Sequence, residues 1–518
     1  MVVVAGIAAY PGLLIAPNHW DSCLFVWQGK RMLAGDLPYL TVWDQKFPVL
    51  LWINALAAAT GHAYAALYGI QSIAIGASAW LISLMARRRV SPAAGVAAGF
   101  AYATFASTLT MGGTGNLPET YAAPFAILCL YAMVRYAEGE RPPWLWPLVS
   151  GVGLGIATLL RPPAAIIGAA LLPLVPAMRR SRVLHWRTVV TWMGGCLVVP
   201  LATAAWAASK GILGLMIRDC ILDNVAYAVG IGVPESASWA HVGRTLQNIT
   251  IETWGWHLAG LVGLFIVLLS ANDAKAERNG ERPTDLRGMA VAWLIAAFFS
   301  ALPSLQFYVH YYYLTLAPLA FLSAWAWQEL VLRFWDGRWR QRAGAWGLAI
   351  VTLLVISVQV QWDYADANER RIKAHPVVEM EQFLATHGRP TDTLAVFGWG
   401  TEMDLLARLG WPSPTKHPHA IIYPGLPGGG QRLGEWSEEM VRQPPVWLVC
   451  NDRQDLVRGN IISSFAWTDR ERQIAQPVVD EFQSRFDEVA RFPVRNRRSM
   501  GEPASYVIYR DRRASPTP

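Results

Sequence analysis

Asp21, Asp44, Lys46, Glu119 and His310 are ionisable residues at the ends of long apolar runs or in the polar stretches between them. Such groups are costly beside a hydrocarbon phase unless they line a wet cavity or meet a charged ligand. A lysine at a membrane surface, with an arginine such as Arg161 beside it, stabilises the charge of a lipid phosphate. A phosphate that carries a sugar leaves without needing a proton. The site then requires one carboxylate across the anomeric carbon, which accepts the proton of an incoming hydroxyl.

Each residue also has a plainer reading. Asp21 has the type and place to N-cap a helix that begins at Ser22. Asn116 and Glu119 have capping-box spacing, with Pro118 in the first turn. Lys46 fits a snorkelling surface lysine, and His310 with its three following tyrosines fits an interfacial aromatic belt. Arg161, before Pro162 and Pro163, fits the end of a hairpin. His417 and His419 have poor metal-ligand spacing and no evident partner carboxylate, so no metal site is expected there. What marks a functional site is the occurrence of these residues together on one side of the membrane.

The elements that must position this set are membrane spans. The chain is 53% hydrophobic and 16% charged, where a soluble domain carries about 25% charge. Apolar runs recur at about the length that crosses ~30 Å of hydrocarbon. Eleven spans are expected, over 1–17, 63–86, 91–111, 117–136, 144–160, 162–178, 188–208, 256–270, 288–303, 310–329 and 343–361. The pair flanking Arg161 is expected to form a hairpin that either tilts in a locally thin bilayer or does not fully cross it, since fifteen helical residues reach only about 22 Å. The basic connections Arg87–Arg89, Arg135–Arg141, Arg179–Arg187, Lys275–Arg287 and Arg333–Arg342 fall in alternate gaps and should share the cytoplasmic side. The N-terminus is then inside, and the first loop, 18–62, faces outward together with Glu119, Arg161 and His310. The net charge of +7 follows from those basic loops and implies no nucleic-acid partner. Twenty-five tryptophans suit interfacial belts. Cys23, Cys129, Cys196, Cys220 and Cys450 show no paired-ligand spacing, which argues against metal or redox use.

From Asp363 the composition becomes that of a soluble domain. "DTLAVFGWG", "PVWLVCND" and "SYVIYRDR" read as short buried strands, and "EMDLLARLG" and "VVDEFQSRFDEVARF" as helices. "YPGLPGGG" reads as a mobile connector. The expected organisation is a transmembrane catalytic domain, 1–362, and a small soluble extracytoplasmic α/β domain, 363–518.

"LAGDLPYLTVWDQKFPVLLWINALAAATGH" resembles the first-loop signature of the bacterial glycosyltransferase family 39-like proteins, GT-C fold relatives of protein O-mannosyltransferases and of the lipid A aminoarabinose transferase. Asp21, Gly35, Pro38, Tyr39, Trp43, Asp44, Lys46 and Pro48 supply the pattern in order. "NLPETY", "HYYYLTLAPLA" and "LAVFGWGTEMDLLARLG" resemble later segments of that family. The resemblance implies a polytopic α-helical membrane protein of GT-C type, set in the inner membrane with its C-terminal domain periplasmic. It implies a glycosyltransferase that takes a polyprenyl-phosphate sugar as donor and a glycan, lipid or protein hydroxyl as acceptor. Asp21 would be the general base and Lys46 the phosphate ligand, with Asp44, Glu119, Arg161, His310 and Tyr311 binding substrate. Many relatives carry Asp-Glu where this chain has Asp21-Ser22, so no metal or other cofactor is expected. The rival expectation is a transporter or flippase of lipid-linked sugars, which would explain the spans and a phosphate site but not the acid-bearing first loop.

Overall fold

The computed structural model of the chain describes residues 1–14, 20–108, 111, 115–180, 185–230, 243, 247, 258–269, 286–302, 308–334, 343, 347, 358, 361–362, 365, 376–398, 400–423, 428–461, 467–494 and 503–514. Helices α1 (Val2–Leu14), α2 (Trp20–Leu33), α3 (Pro48–Ala58), α4 (Ala63–Arg89), α5 (Pro92–Phe105), α6 (Pro118–Ala137) and α7 (Leu145–Leu160) come first. A 3-10 helix, Pro162–Leu174, then runs into α8 (Val175–Arg180), and α9 (Trp186–Ser209) follows. Beyond it lie α10 (Leu213–Ile217), a π-helical turn (Arg218–Leu222) and α11 (Asp223–Gly230). The remaining apolar helices are α12 (Leu258–Leu269) and α13 (Arg287–Ser300), then a 3-10 turn (Val309–Thr315) that leads into α14 (Leu316–Phe334).

The chain divides into two compact units. One comprises described residues within Met1–Leu13, Leu67–Ala205 and Val233–Asp366. Among the described residues, α4, α6 and α9 are long and apolar enough to cross a membrane. On α9, Trp186, Val190, Met193, Leu197 and Leu201 are exposed, a face that only lipid or another apolar surface would leave without cost. Two of the basic connections meet: Arg88 bonds Glu138 and Glu140, each at 3.1 Å, and Arg89 and Arg135 pair with Glu138 and Glu140 respectively. Both connections therefore lie at one end of this unit, as their alternation requires.

Several segments depart from plain spans. The stretch expected as a helix over 162–178 is 3-10 for thirteen residues. Pro162 and Pro163 supply no N–H, and the tighter winding rises about 2 Å per residue, so it reaches farther than an α-helix of the same length. The expected span 310–329 likewise opens as a 3-10 turn before α14 begins at Leu316. The expected span 343–361 lies outside the described residues, apart from 343, 347, 358 and 361.

The second unit comprises described residues within Leu14–Ala66, Trp206–Gly232 and Ala367–Pro518. Its later part holds α15 (Val377–His387), β1 (Leu394–Phe397), α16 (Thr401–Leu409), α17 (Gly429–Arg442), β2 (Trp447–Asn451), β3 (Gln454–Asp455), β4 (Asn460–Ile461), α18 (Asp469–Arg485), β5 (Phe486–Pro493) and β6 (Ser505–Asp511). The sheet has six strands in the order β4-β3-β2-β6-β5, with β1 also on β2. β1 runs parallel to β2, Leu394 facing Trp447, and β6 runs antiparallel, Arg510 facing Trp447.

The three segments read as strands are strands. The helix expected over 478–492 ends at Arg485, and Phe486–Pro493 is β5, paired with β6. Phe486, Val489 and Phe492 recur every third residue, which mimics a helical stripe, but β6 pairs with every residue of β5 except the bulged Val489, and tertiary pairing overrides the local pattern. In "YPGLPGGG", 424–427 lie outside the described residues, Gly428 takes a left-handed conformation and Gly429 opens α17.

Within this unit the first loop is largely helical. α2 and α3 pack so closely that a Cβ on Gly29 would lie 2.5 Å from the Asn54 carbonyl carbon. α2 also docks on α16. The Trp27 indole N–H donates to the Trp411 carbonyl at 2.8 Å, and Lys30 donates to the Arg408 carbonyl at 2.7 Å. Lys30 thus meets the last turn of α16, where unpaired carbonyls carry partial negative charge. Burial lowers its ammonium from the ordinary lysine value.

Candidate functional site

The sequence-identified residues fall into two sets. Asp21, Asp44 and Lys46 belong to the unit that carries the sheet; Glu119, Arg161, His310 and Tyr311 belong to the other.

Asp21 sits in the first turn of α2, which begins at Trp20. It is not the N-cap of a helix starting at Ser22. Its side chain is half-buried and makes no hydrogen bond or ion pair among the described residues. A carboxylate there gains from the positive end of the helix while both oxygens stay available to accept a proton.

Asp44 and Lys46 lie in the short segment between α2 and α3. Gly35 has φ +101°, which a side chain would strain, and the turn it allows leads to Pro38 and Tyr39. Tyr39 is itself left-handed at φ 66°, a costly conformation for a non-glycine residue. It is held there because its ring is buried and its hydroxyl donates to the Lys46 carbonyl at 2.7 Å. The Asp44 carboxylate is fully engaged. It accepts from Gln28 Nε2 of α2 at 2.9 Å and from the Lys46 backbone N–H at 3.1 Å. Burial pushes the Asp44 carboxyl up, against the pull of Lys46 and of these bonds. Asp44 therefore shapes the turn that presents Lys46.

Sequence reasoning missed the other supports of this turn. Asn224 Nδ2 donates to the Gln45 carbonyl at 2.9 Å, and the Cys220 thiol donates to the Lys46 carbonyl at 3.2 Å. Both come from 206–232, a stretch whose sequence shows only a broken apolar pattern. Trp43, one residue before Asp44, belongs to the hydrophobic core of the sheet with Tyr423, Leu433 and Trp436.

His417 and His419 pack round Trp43, at ring-centroid distances of 6.4 and 5.6 Å. The absence of a partner carboxylate expected for them is corrected. His417 Nε2 lies 3.2 Å from Glu435, whose carboxyl hydrogen bonds to Lys416 and His417 hold at about 2 against burial. Burial lowers His417 to about 4, so it stays neutral at physiological pH.

In the other unit Glu119 is in the first turn of α6, but Leu117 is the N-cap and makes no side-chain cap bond, so the capping box with Asn116 does not form. Asn116 instead takes φ 62°, accepts from the Tyr121 hydroxyl at 3.1 Å and donates its backbone N–H to Gln71. Glu119 pairs with Arg161, which stands where α7 gives way to the 3-10 helix. The pair is buried. Arg161 also reaches the Ser300 carbonyl of α13 at 3.4 Å and lies 4.6 Å from the Tyr311 ring centre. His310 packs edge-on against Tyr311 at 4.7 Å. One Glu119 oxygen and Arg161 Nε remain buried without a hydrogen-bond partner among the described residues.

Residues 45–207, which begin inside the first-loop signature, match the family model described as dolichyl-phosphate-mannose-protein mannosyltransferase. Among solved structures the chain is similar to ArnT from Cupriavidus metallidurans bound to undecaprenyl phosphate, at 13% identity and TM-score 0.54, over 98% of this chain and 96% of that one. It is similar to the same protein in its apo state, at 15% identity and TM-score 0.50, over 98% and 97%. No curated protein matches it. The fold is that of the GT-C membrane glycosyltransferases. The family match bears out the resemblance to the family 39-like members of that class; of the first-loop pattern residues it takes in Lys46 and Pro48.

Proposed function

We propose that this protein moves a sugar from a polyprenyl-phosphate donor to an acceptor hydroxyl at the outer face of the membrane. The carrying observation is the construction around Lys46: its backbone N–H and carbonyl are both fixed, by Asp44, Tyr39 and Cys220. Such a presentation suits a cation that must meet a phosphate at a set place. The undecaprenyl phosphate bound by the similar ArnT supports a ligand of that chemistry.

In the proposed step the acceptor oxygen attacks the anomeric carbon as the bond from that carbon to the phosphate oxygen breaks. The phosphate takes the electron pair and leaves as polyprenyl phosphate, its charge met by Lys46. Asp21 accepts the hydroxyl proton as general base. In the other unit, the free oxygen of Glu119 is proposed to accept from a substrate hydroxyl, with Arg161 holding the carboxylate in place, and His310 and Tyr311 are proposed to bind substrate beside them. The inner-membrane location, the periplasmic side for the C-terminal residues and the metal-free mechanism are parts of the same proposal.

Lys46→Ala tests the donor contact. A charge-assisted bond is worth on the order of 1.5–3 kcal/mol, so the apparent donor affinity should fall roughly ten- to a hundredfold. Turnover at saturating donor should change less, because the phosphate is charged before and during the reaction. Unchanged donor dependence in a folded variant would leave Lys46 a surface lysine.

A further inference from the structure

Arg432, on α17, is far in sequence from every residue of the proposed donor site. Its guanidinium lies 4.3 Å from the ring centre of Trp43 and pairs with Asp223 of α11. Trp43 is closed in on its other sides as well. Its backbone N–H donates to the Lys416 carbonyl at 2.8 Å, His419 stacks on it at 5.6 Å and Tyr423 meets it edge-on at 5.4 Å. α11 in turn supplies Asn224 to the Gln45 carbonyl. Arg432 therefore ties together the two flanks of the turn that carries Lys46.

We infer that Arg432 is a positioning residue for lipid-phosphate binding. By clamping Trp43 and Asp223 it fixes the Trp43–Lys46 turn, so that the C-terminal residues set donor affinity rather than only meeting the acceptor. This rests on the proposed role of Lys46. A guanidinium suits the task because it stacks on an indole face and bonds a carboxylate in the same pose.

The test uses the full chain in nanodiscs, with undecaprenyl phosphate as probe and undecaprenol as the uncharged control. Arg432→Gln should weaken undecaprenyl phosphate binding roughly two- to fivefold, the factor that a partly exposed cation–π contact carries, and Asp223→Asn, which removes the ion-pair half of the clamp, should weaken it by about the same factor. Undecaprenol binding should not change. Arg432→Lys should restore part of the loss. Because Arg432 acts through Lys46, the double variant Lys46→Ala/Arg432→Gln should bind no worse than Lys46→Ala alone. If Arg432→Gln fails to fold, Asp223→Asn carries the same comparison. Native affinity in both single variants, or losses that add to that of Lys46→Ala, would overturn the clamp while the donor site stands. If Lys46→Ala itself binds undecaprenyl phosphate like the native protein, the donor reading fails and the clamp falls with it.

Discussion

Asp21→Asn is expected to lower turnover about 10²–10⁴-fold, the contribution of a positioned general base, while donor-lipid binding stays near native. Asparagine keeps the shape and loses the proton-accepting oxygen. It also loses the interaction of a negative charge with the first turn of α2, worth about 0.3–1 kcal/mol. That is too little to account for a loss of this scale, so a large fall reports on proton transfer and not on helix stability. Single-turnover rates and donor affinity, measured at equal expression, separate the two effects. Near-native turnover would remove Asp21 from the mechanism.

The ion pair carries the second large effect. Arg161→Met should destabilise the protein by about 3–5 kcal/mol, since it leaves the Glu119 carboxylate buried without its counter-charge. The double variant Glu119→Gln/Arg161→Met should recover much of that loss, because the uncompensated charge is then gone. Denaturation midpoints in detergent, followed by the fraction eluting as folded protein, give the comparison. An Arg161→Met variant as stable as the native chain would mean that the pair does not hold this region together.

The apolar helices were legible because length and composition decide them: α4, α6 and α9 need no partner to be recognised. The first-loop signature was legible for a similar reason, since Gly35, Pro38 and Trp43 are residue types with few alternative uses at that spacing. What escaped was pairing at a distance. Glu119 and Asn116 stand at capping-box spacing, and nothing local says that the glutamate turns instead to Arg161, 42 residues later. Asp44 read as a substrate-binding carboxylate, and nothing local shows its bond to Gln28, which lies on α2 and carries no charge to draw notice. β5 read as helix because its apolar spacing fits three residues per turn, while its pairing with β6 is set by tertiary structure. The supports of Lys46 from 206–232 and from α17 lie 174 residues or more away. Their residues, Cys220, Asn224 and Arg432, are individually ordinary.

The most direct measurement follows the fate of the lipid. Purified protein in nanodiscs would be incubated with radiolabelled polyprenyl-phosphate sugars and a fractionated envelope extract as acceptor source, and the lipid products separated. The proposed chemistry predicts that label leaves the lipid and that free polyprenyl phosphate accumulates in equal amount, with both lost in Asp21→Asn. Intact lipid-linked sugar that only changes leaflet, at the same rate in native and Asp21→Asn protein, would contradict it and identify a transporter.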